Sequence, residues 1–331
     1  MITRRRFLSI ASAPVVLAAT RAAISQERAR VARVGCLFAS LRGSAYSMAA
    51  FKDGLKALGH VEGRNLRVDV GDAQGELSRL PALARELVAL GPDVILASNP
   101  AGVGAAVAAT KSIPIVMGTM SDPVAEGFVA SLARPGGNVT GVVNQGEDLI
   151  PKQFELGREL VPRARRFAFL ISRDPALRRR NAGFESVAED SARRLGVEAI
   201  MIRASNRTEM DALHSTLRRA RPELLVVGLD PVYHGFRGLL IDAVARLGLP
   251  AIYPLPVFSD DGGLVSYGFN LADSFRRAAA FVDRILKGAK PGDLPIERPL
   301  KFELIINLKT AKALGLAIPQ SILLRADRVI E

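Results

Sequence analysis

Tryptophan is absent from this 331-residue chain, tyrosine occurs four times and cysteine once. A single thiol cannot form an internal disulfide, so a large core rather than covalent staples must hold the fold. With Tyr46, Tyr233, Tyr253 and Tyr267 as the whole stock of tyrosines, few flat faces are available to stack a sugar ring, which argues against a carbohydrate ligand. Histidine is as scarce. His60, His214 and His234 have no metal-ligand spacing among themselves or with Cys36, so neither a metal nor any other cofactor is expected. The Gly-x-Ser-x-Gly elbow of serine hydrolases is missing, as is the Gly-x-x-x-x-Gly-Lys loop of nucleotide hydrolases. No apolar run reaches the roughly 20 residues needed to cross a bilayer.

What is present begins at the amino terminus. Thr3-Arg-Arg-Arg-Phe-Leu-Ser9 precedes the uncharged run from Ile10 to Ala19 and a small-residue exit at Ala23-Ile-Ser25. A basic stretch, a short apolar stretch and small residues form a secretory signal, and the arginine pair followed by Phe-Leu reads as the twin-arginine kind. The general export route reads the same features. Residues 1–25 are expected to be removed and the mature protein to be periplasmic. The formal charge of +12 then falls to +8, because the removed segment carries four arginines and no acid. The remaining excess is spread along the chain. Its densest clusters, Arg163-Ala-Arg-Arg166 and Arg178-Arg-Arg180, lack aromatic interleaving or a nucleic-acid-binding pattern and read as solvated helix faces, so no nucleic-acid partner is expected.

From Val31 onward, short apolar or β-branched runs alternate with helical stretches, the pattern of an α/β fold with parallel sheets flanked by helices. In the first helix, Met48, Phe51, Leu55 and Leu58 recur at three- and four-residue spacing. Cys36 falls within the alternating strand Val31 to Phe38 and reads as a buried strand residue. After Arg134-Pro-Gly-Gly-Asn138 the alternation restarts at a helix from Pro151. Two successive sets of about four βα units imply two similar lobes. A late strand near Leu264 to Tyr267, a helix from Ser274 to Leu286 and a Gly/Pro-rich connection from Lys287 to Pro295 suggest that the chain crosses between them more than once.

Open doubly wound sheets bind ligands outside the carboxyl ends of their strands. The segments that follow the strands are Ser40 to Ser44 with Tyr46, Ser98 to Ala101, Gly118 to Asp122, Asn144-Gln145, Ser172 to Asp174, Gly228 to Asp230, and Pro254 after Tyr253. They are rich in short hydrogen-bonding side chains and poor in nucleophile–base pairs. The candidate ligand contacts are Ser40, Tyr46, Ser98, Asn99, Thr119, Asp122, Asn144, Asp230 and Tyr253. Ser98-Asn99-Pro100 reads equally as an ordinary helix cap and as a helix end with free N–H groups suited to a carboxylate or phosphate. Asp122 and Asp230, each before a proline, read equally as caps and as receivers of an ammonium or hydroxyl group.

The segments Leu58-Gly-His-Val-Glu-Gly-Arg-Asn65, Ser131-Leu-Ala-Arg-Pro-Gly-Gly-Asn-Val-Thr-Gly141, Ala251-Ile-Tyr-Pro254, Gly262-Gly-Leu-Val-Ser-Tyr-Gly268, Leu286 to Pro295 and Lys301 to Gly315 resemble the ABC-transporter substrate-binding proteins, the family that includes the tryptophan/tyrosine-binding proteins. The resemblance runs in order through nearly all of the chain beyond the signal. It implies a type I periplasmic-binding-protein fold of two Rossmann-like lobes joined by three crossing strands, with residues 31–143 and about 258–299 in one lobe and 144–257 and about 300–331 in the other. It implies a non-catalytic monomer that captures a small molecule, an amino acid or similar small carboxylate, by hinge closure. The closed form would deliver it to a membrane permease with a separate ATPase chain. Asp122 and Asp230 match acids at the family's cleft. The loop after the third strand, often Thr-x-Gly-Thr-Pro in the family, is Ala97-Ser-Asn-Pro-Ala101 here. A sensory binder serving a membrane receptor and an exported α/β enzyme are the alternatives.

Overall fold

The computed structural model describes residues 31–144, 146–298 and 302–331. The segment read as an export signal lies outside them, as does Gln145.

Five strands form the first sheet, in the order β2-β1-β3-β4-β5, all parallel: β1 (Ala32–Phe38), β2 (Leu66–Asp72), β3 (Val94–Ala97), β4 (Ile115–Met117) and β5 (Val139–Gly141). β3, β4 and β5 are buried along their whole length, which accounts for the near-continuous apolar runs of the sequence. Between them run α1 (Ala45–Ala57), α2 (Leu80–Ala89) and α3 (Pro100–Ala109). Met48, Phe51 and Leu55 form the buried stripe of α1, as their spacing predicts. Cys36 is fully buried in β1, and burial pushes its thiol pKa far up, so it behaves as a core residue rather than a reactive one.

The second sheet has seven strands in the order β12-β11-β10-β9-β8-β6-β7. Its elements in chain order are α4 (Gly146–Leu160), β6 (Arg166–Ile171), α5 (Arg178–Leu195), β7 (Glu198–Arg203), α6 (Arg207–Asp211), α7 (Leu213–Ala220), β8 (Leu224–Val227), α8 (Pro231–Gly235), α9 (Arg237–Arg246), β9 (Ala251–Tyr253), α10 (Pro256–Asp260) and β10 (Val265–Phe269). After α11 (Leu271–Leu286) come β11 (Phe302–Asn307), α12 (Leu308–Ala313), α13 (Gln320–Leu323) and β12 (Arg328–Ile330). The parallel pattern breaks between β10 and β11, which pair antiparallel in the register Val265↔Ile306, so that β11 and the β12 beside it run opposite to the other strands.

Each sheet with its helices forms a lobe, and the chain passes between them three times: from β5 to α4, from β10 to α11, and from Arg298 to β11. The stretch from residue 258 to 270, expected with the first lobe, places β10 in the second sheet against β9 and β11. The crossing occurs at Asn270, whose side chain caps α11. That helix then returns to the first lobe, packing along α1 and against β3, β4 and β5. Its strongly one-sided apolar face includes Phe275, stacked on Phe38 with ring centroids 5.9 Å apart. Burying one such ring contributes about 1.5–3 kcal/mol. The returning chain is tied to β5 at Val142↔Glu297. Among the described residues no helix is long and apolar enough to cross a membrane.

Candidate functional site

The segments that follow β1, β3, β4 and β5 in the first lobe and β8, β9 and β10 in the second meet around a cavity of about 50 Å³ between the lobes. It has room for a few water molecules. Its lining divides by chemistry. The first lobe contributes hydroxyl and amide groups, the second a charged pair and an imidazole, and Leu229, Leu255, Phe269, Leu271 and Phe275 complete an apolar wall.

In the first lobe, Asn99 in extended conformation precedes Pro100 at the start of α3, and its Oδ1 accepts from Gly102 N at 3.0 Å. Its Nδ2 donates to Ser98 Oγ at 3.0 Å. Asn99 is therefore a helix cap, and the cap orients Ser98 at the positive end of α3. Ser40 Oγ accepts from Gly43 N at 3.2 Å, which fixes the turn after β1. Asn144, on the first interlobe passage, donates to Thr119 Oγ1 at 2.6 Å and accepts through Oδ1 from Gly146 N at 3.0 Å. One side chain thus ties the end of β4 to the start of α4.

The second lobe presents a buried ion pair. Arg180 Nη2 donates to Asp230 Oδ2 at 2.9 Å, and the two side chains are 6% and 1% exposed. Asp230 Oδ2 also accepts from Ser172 Oγ at 2.8 Å, while Oδ1 caps α8 through Val232 N at 2.9 Å. Asn181 Oδ1 accepts from both Nε and Nη2 of Arg180, and its Nδ2 donates to Ser172 O and Oγ. The ring of Phe184 lies 5.0 Å below the guanidinium. Burial lowers the arginine's pKa, and Asp230 opposes that shift, so the pair stands as a charge-balanced unit. Among the described residues Arg180 Nη1 has no hydrogen-bond partner, and it belongs to a side chain on the cavity wall.

At the mouth the lobes meet through glycine. A Cβ at Gly43 would stand 2.9 Å from Gly235 Cα and 3.0 Å from His234 O, an approach that no larger residue permits. Arg237 Nη1 donates to Gly43 O across the interface at 2.9 Å while its Nε engages Asp261.

Ser40, Ser98, Asn99, Thr119, Asn144 and Asp230 are thus brought together around one cavity. Three other candidates are not. Asp122 is exposed, its Oδ1 occupied by Val124 N at 3.0 Å and Ala125 N at 2.9 Å; it caps a turn on a separate surface groove. Tyr253 is fully buried in the second lobe, stacked on Phe258 at 5.1 Å, because β9 is covered on both faces. Tyr46 lines a neighbouring groove rather than the cavity, edge-on to His234 at 5.6 Å. In the opposite sense, Arg180 and His234 line the cavity although the sequence suggested neither. Arg180 lay in a charge run that read as solvated; only the helix start at Arg178 turns it inward.

The chain is 28% identical to a tyrosine-binding protein of Clostridioides difficile (strain R20291) over 271 residues, 81% of this chain and 76% of that one. A structure of a conserved domain protein from Vibrio cholerae superposes with a TM-score of 0.83 at 26% identity, over 91% of this chain and 100% of the other. An ABC domain of Streptococcus pneumoniae solved in complex with L-Trp superposes with a TM-score of 0.80 at 25% identity, over 90% and 99% of the two chains. The family profile described as ABC transporter substrate binding protein matches residues 40–330, so this chain belongs to the ABC transporter substrate-binding proteins.

Proposed function

We propose that the protein is the extracytoplasmic receptor of an ABC importer and captures an amino acid, or a similarly small carboxylate, between its lobes. The observation that carries this reading is the convergence on one interlobe cavity of polar groups from both lobes around a single buried pair of opposite charges. A zwitterion carries the complementary pair. Its carboxylate faces the Ser98 hydroxyl, the start of α3 and the open Nη1 of Arg180. Its ammonium faces Asp230, not Asp122, which lies outside the cavity. The relatives named for tyrosine and solved with L-Trp support an amino acid over other small molecules.

The cavity of about 50 Å³ lies between the lobes, so entry of an amino acid requires them to part about the three interlobe passages. A ligand that touches both lobes then stabilises the closed state, since only a difference in affinity shifts such an equilibrium. The closed form docks as a monomer on a membrane permease with a separate ATPase, after export to the periplasm directed by residues 1–25.

The test is a thermal-shift screen of the purified protein against amino acids, nucleosides, short carboxylates and sugars, followed by recovery of each hit. A ligand that binds only the folded state raises the melting temperature by mass action. We expect an amino acid to do so and to be recovered unaltered. A shift confined to another class overturns the ligand assignment, and chemical conversion of the hit overturns the receptor reading.

A further inference from the structure

His234 occupies the cavity wall at the point where the lobes meet. It is 7% exposed, and its Nε2 is buried with no hydrogen-bond partner among the described residues. Its backbone is fully engaged: His234 N donates to Asp230 O at 3.2 Å, and His234 O lies against Gly43 of the opposite lobe. The ring itself meets Tyr46 edge-on. A buried ring nitrogen left unpaired carries the full cost of its lost hydration, and such exceptions in a binding cleft point to a partner the ligand supplies.

The charge state of the ring restricts that partner. Burial, with Arg237 adding to it, pushes the imidazole pKa down to about 3. The ring is therefore neutral at physiological pH and offers one donor and one acceptor without a charge. The fixed charges nearby are already matched, Arg180 with Asp230 and Arg237 with Asp261. A further ionic group on the ligand would face none of opposite sign left over.

We propose that His234 is the specificity-determining residue of the cleft, its Nε2 hydrogen-bonding a neutral polar group, such as a hydroxyl, amide or ring N–H, on the side chain of the bound amino acid. This rests on the amino-acid reading above and names which amino acids fit. A site built to pair a ligand hydroxyl rejects the analogue that lacks it, because the protein's own polar group is then stranded.

Calorimetry on matched pairs tests it: L-tyrosine against L-phenylalanine, and L-threonine against L-valine, with wild type, His234→Leu and His234→Gln. We expect the wild type to favour the hydroxylated member of whichever pair it binds by tenfold or more. His234→Leu should bring the two members within about threefold of each other, and His234→Gln, which keeps a donor and an acceptor, should restore part of the preference. Equal binding of both members by the wild type, or undiminished preference in His234→Leu, overturns the proposal and leaves the amino-acid reading intact. If none of the twenty common amino acids binds, that reading and this proposal both fall. Should the leucine variant not fold, ring nitrogen-15 shifts of wild-type His234 decide: a shift of Nε2 on saturation with the hydroxylated ligand supports the contact, and an unmoved signal refutes it.

Discussion

Asp230 does three things at once in this fold: it caps α8, neutralises Arg180 and orients Ser172. Removing its charge leaves a buried guanidinium without its counter-charge. Asp230→Asn should therefore cost about 3–5 kcal/mol of unfolding free energy, the usual penalty for breaking one side of a buried pair. Exchanging both partners, Arg180→Met with Asp230→Leu, should recover much of the loss because no lone charge remains. Urea denaturation of the single and double variants measures both. His234 gives a second test through pH. Its folded pKa of about 3 lies below the ordinary imidazole value near 6.5, so between those limits the unfolded chain holds a proton that the folded one lacks. Stability from this residue is whole above about pH 6.5 and falls by about 1.4 kcal/mol per pH unit as pH drops toward 3. The wild type should lose that increment between pH 6 and 4 relative to His234→Gln, as read from urea midpoints. At this scale the sequence was partly legible. Strand ends announced Ser98, Asn99 and Asp230. The direction of a side chain was not legible, which is why Tyr253 turned into the core, Asp122 toward solvent and Arg180, amid exposed arginines, into the cleft.

The helices whose starts were misread are those that open onto the cleft. Apolar periodicity suggests beginnings at Pro151 and Ser274, whereas the structure begins α4 at Gly146 and α11 at Leu271. Periodicity records burial against a sheet, whereas a first turn is set by its cap: Asn144 Oδ1 accepts from Gly146 N, and Asn270 Oδ1 from Ala272 N. Of these missed turns, that of α11 brings Leu271 to the cavity wall. β11 and β12 escaped pattern reading for another reason: an antiparallel return after a second crossing has no local signature in a βα alternation. The turn between β1 and α1 yields a prediction at this scale. Gly43 has no need of unusual backbone angles, so alanine suits the isolated turn, but its Cβ would press on the backbone of Gly235 and His234. Gly43→Ala should weaken ligand affinity by about tenfold or more, in line with the roughly 1–3 kcal/mol cost of overpacking. The melting temperature without ligand should stay near the wild-type value. Calorimetry paired with thermal melts separates the two.

Across the whole molecule, three passages connect the lobes, and under the proposed hinge closure the balance between open and closed forms depends on the contacts at the mouth. Arg237 is the one that ties the mouth, donating to Gly43 O from a guanidinium held by Asp261. A hydrogen bond from a charged donor contributes about 1.5–3 kcal/mol, and this one exists only when the lobes touch. Arg237→Ala should accordingly leave each lobe folded yet weaken binding by about tenfold to a hundredfold, since each 1.4 kcal/mol is a factor of ten in an equilibrium constant. The loss should appear in the dissociation rate, because encounter happens in the open form that lacks the contact. Small-angle scattering gives the structural counterpart: the unliganded variant should have a larger radius of gyration than the unliganded wild type, and saturating ligand should bring the two together. Equal radii without ligand, combined with an unchanged dissociation rate, would show that Arg237 is not a latch and that closure is held by the cavity walls and the ligand alone.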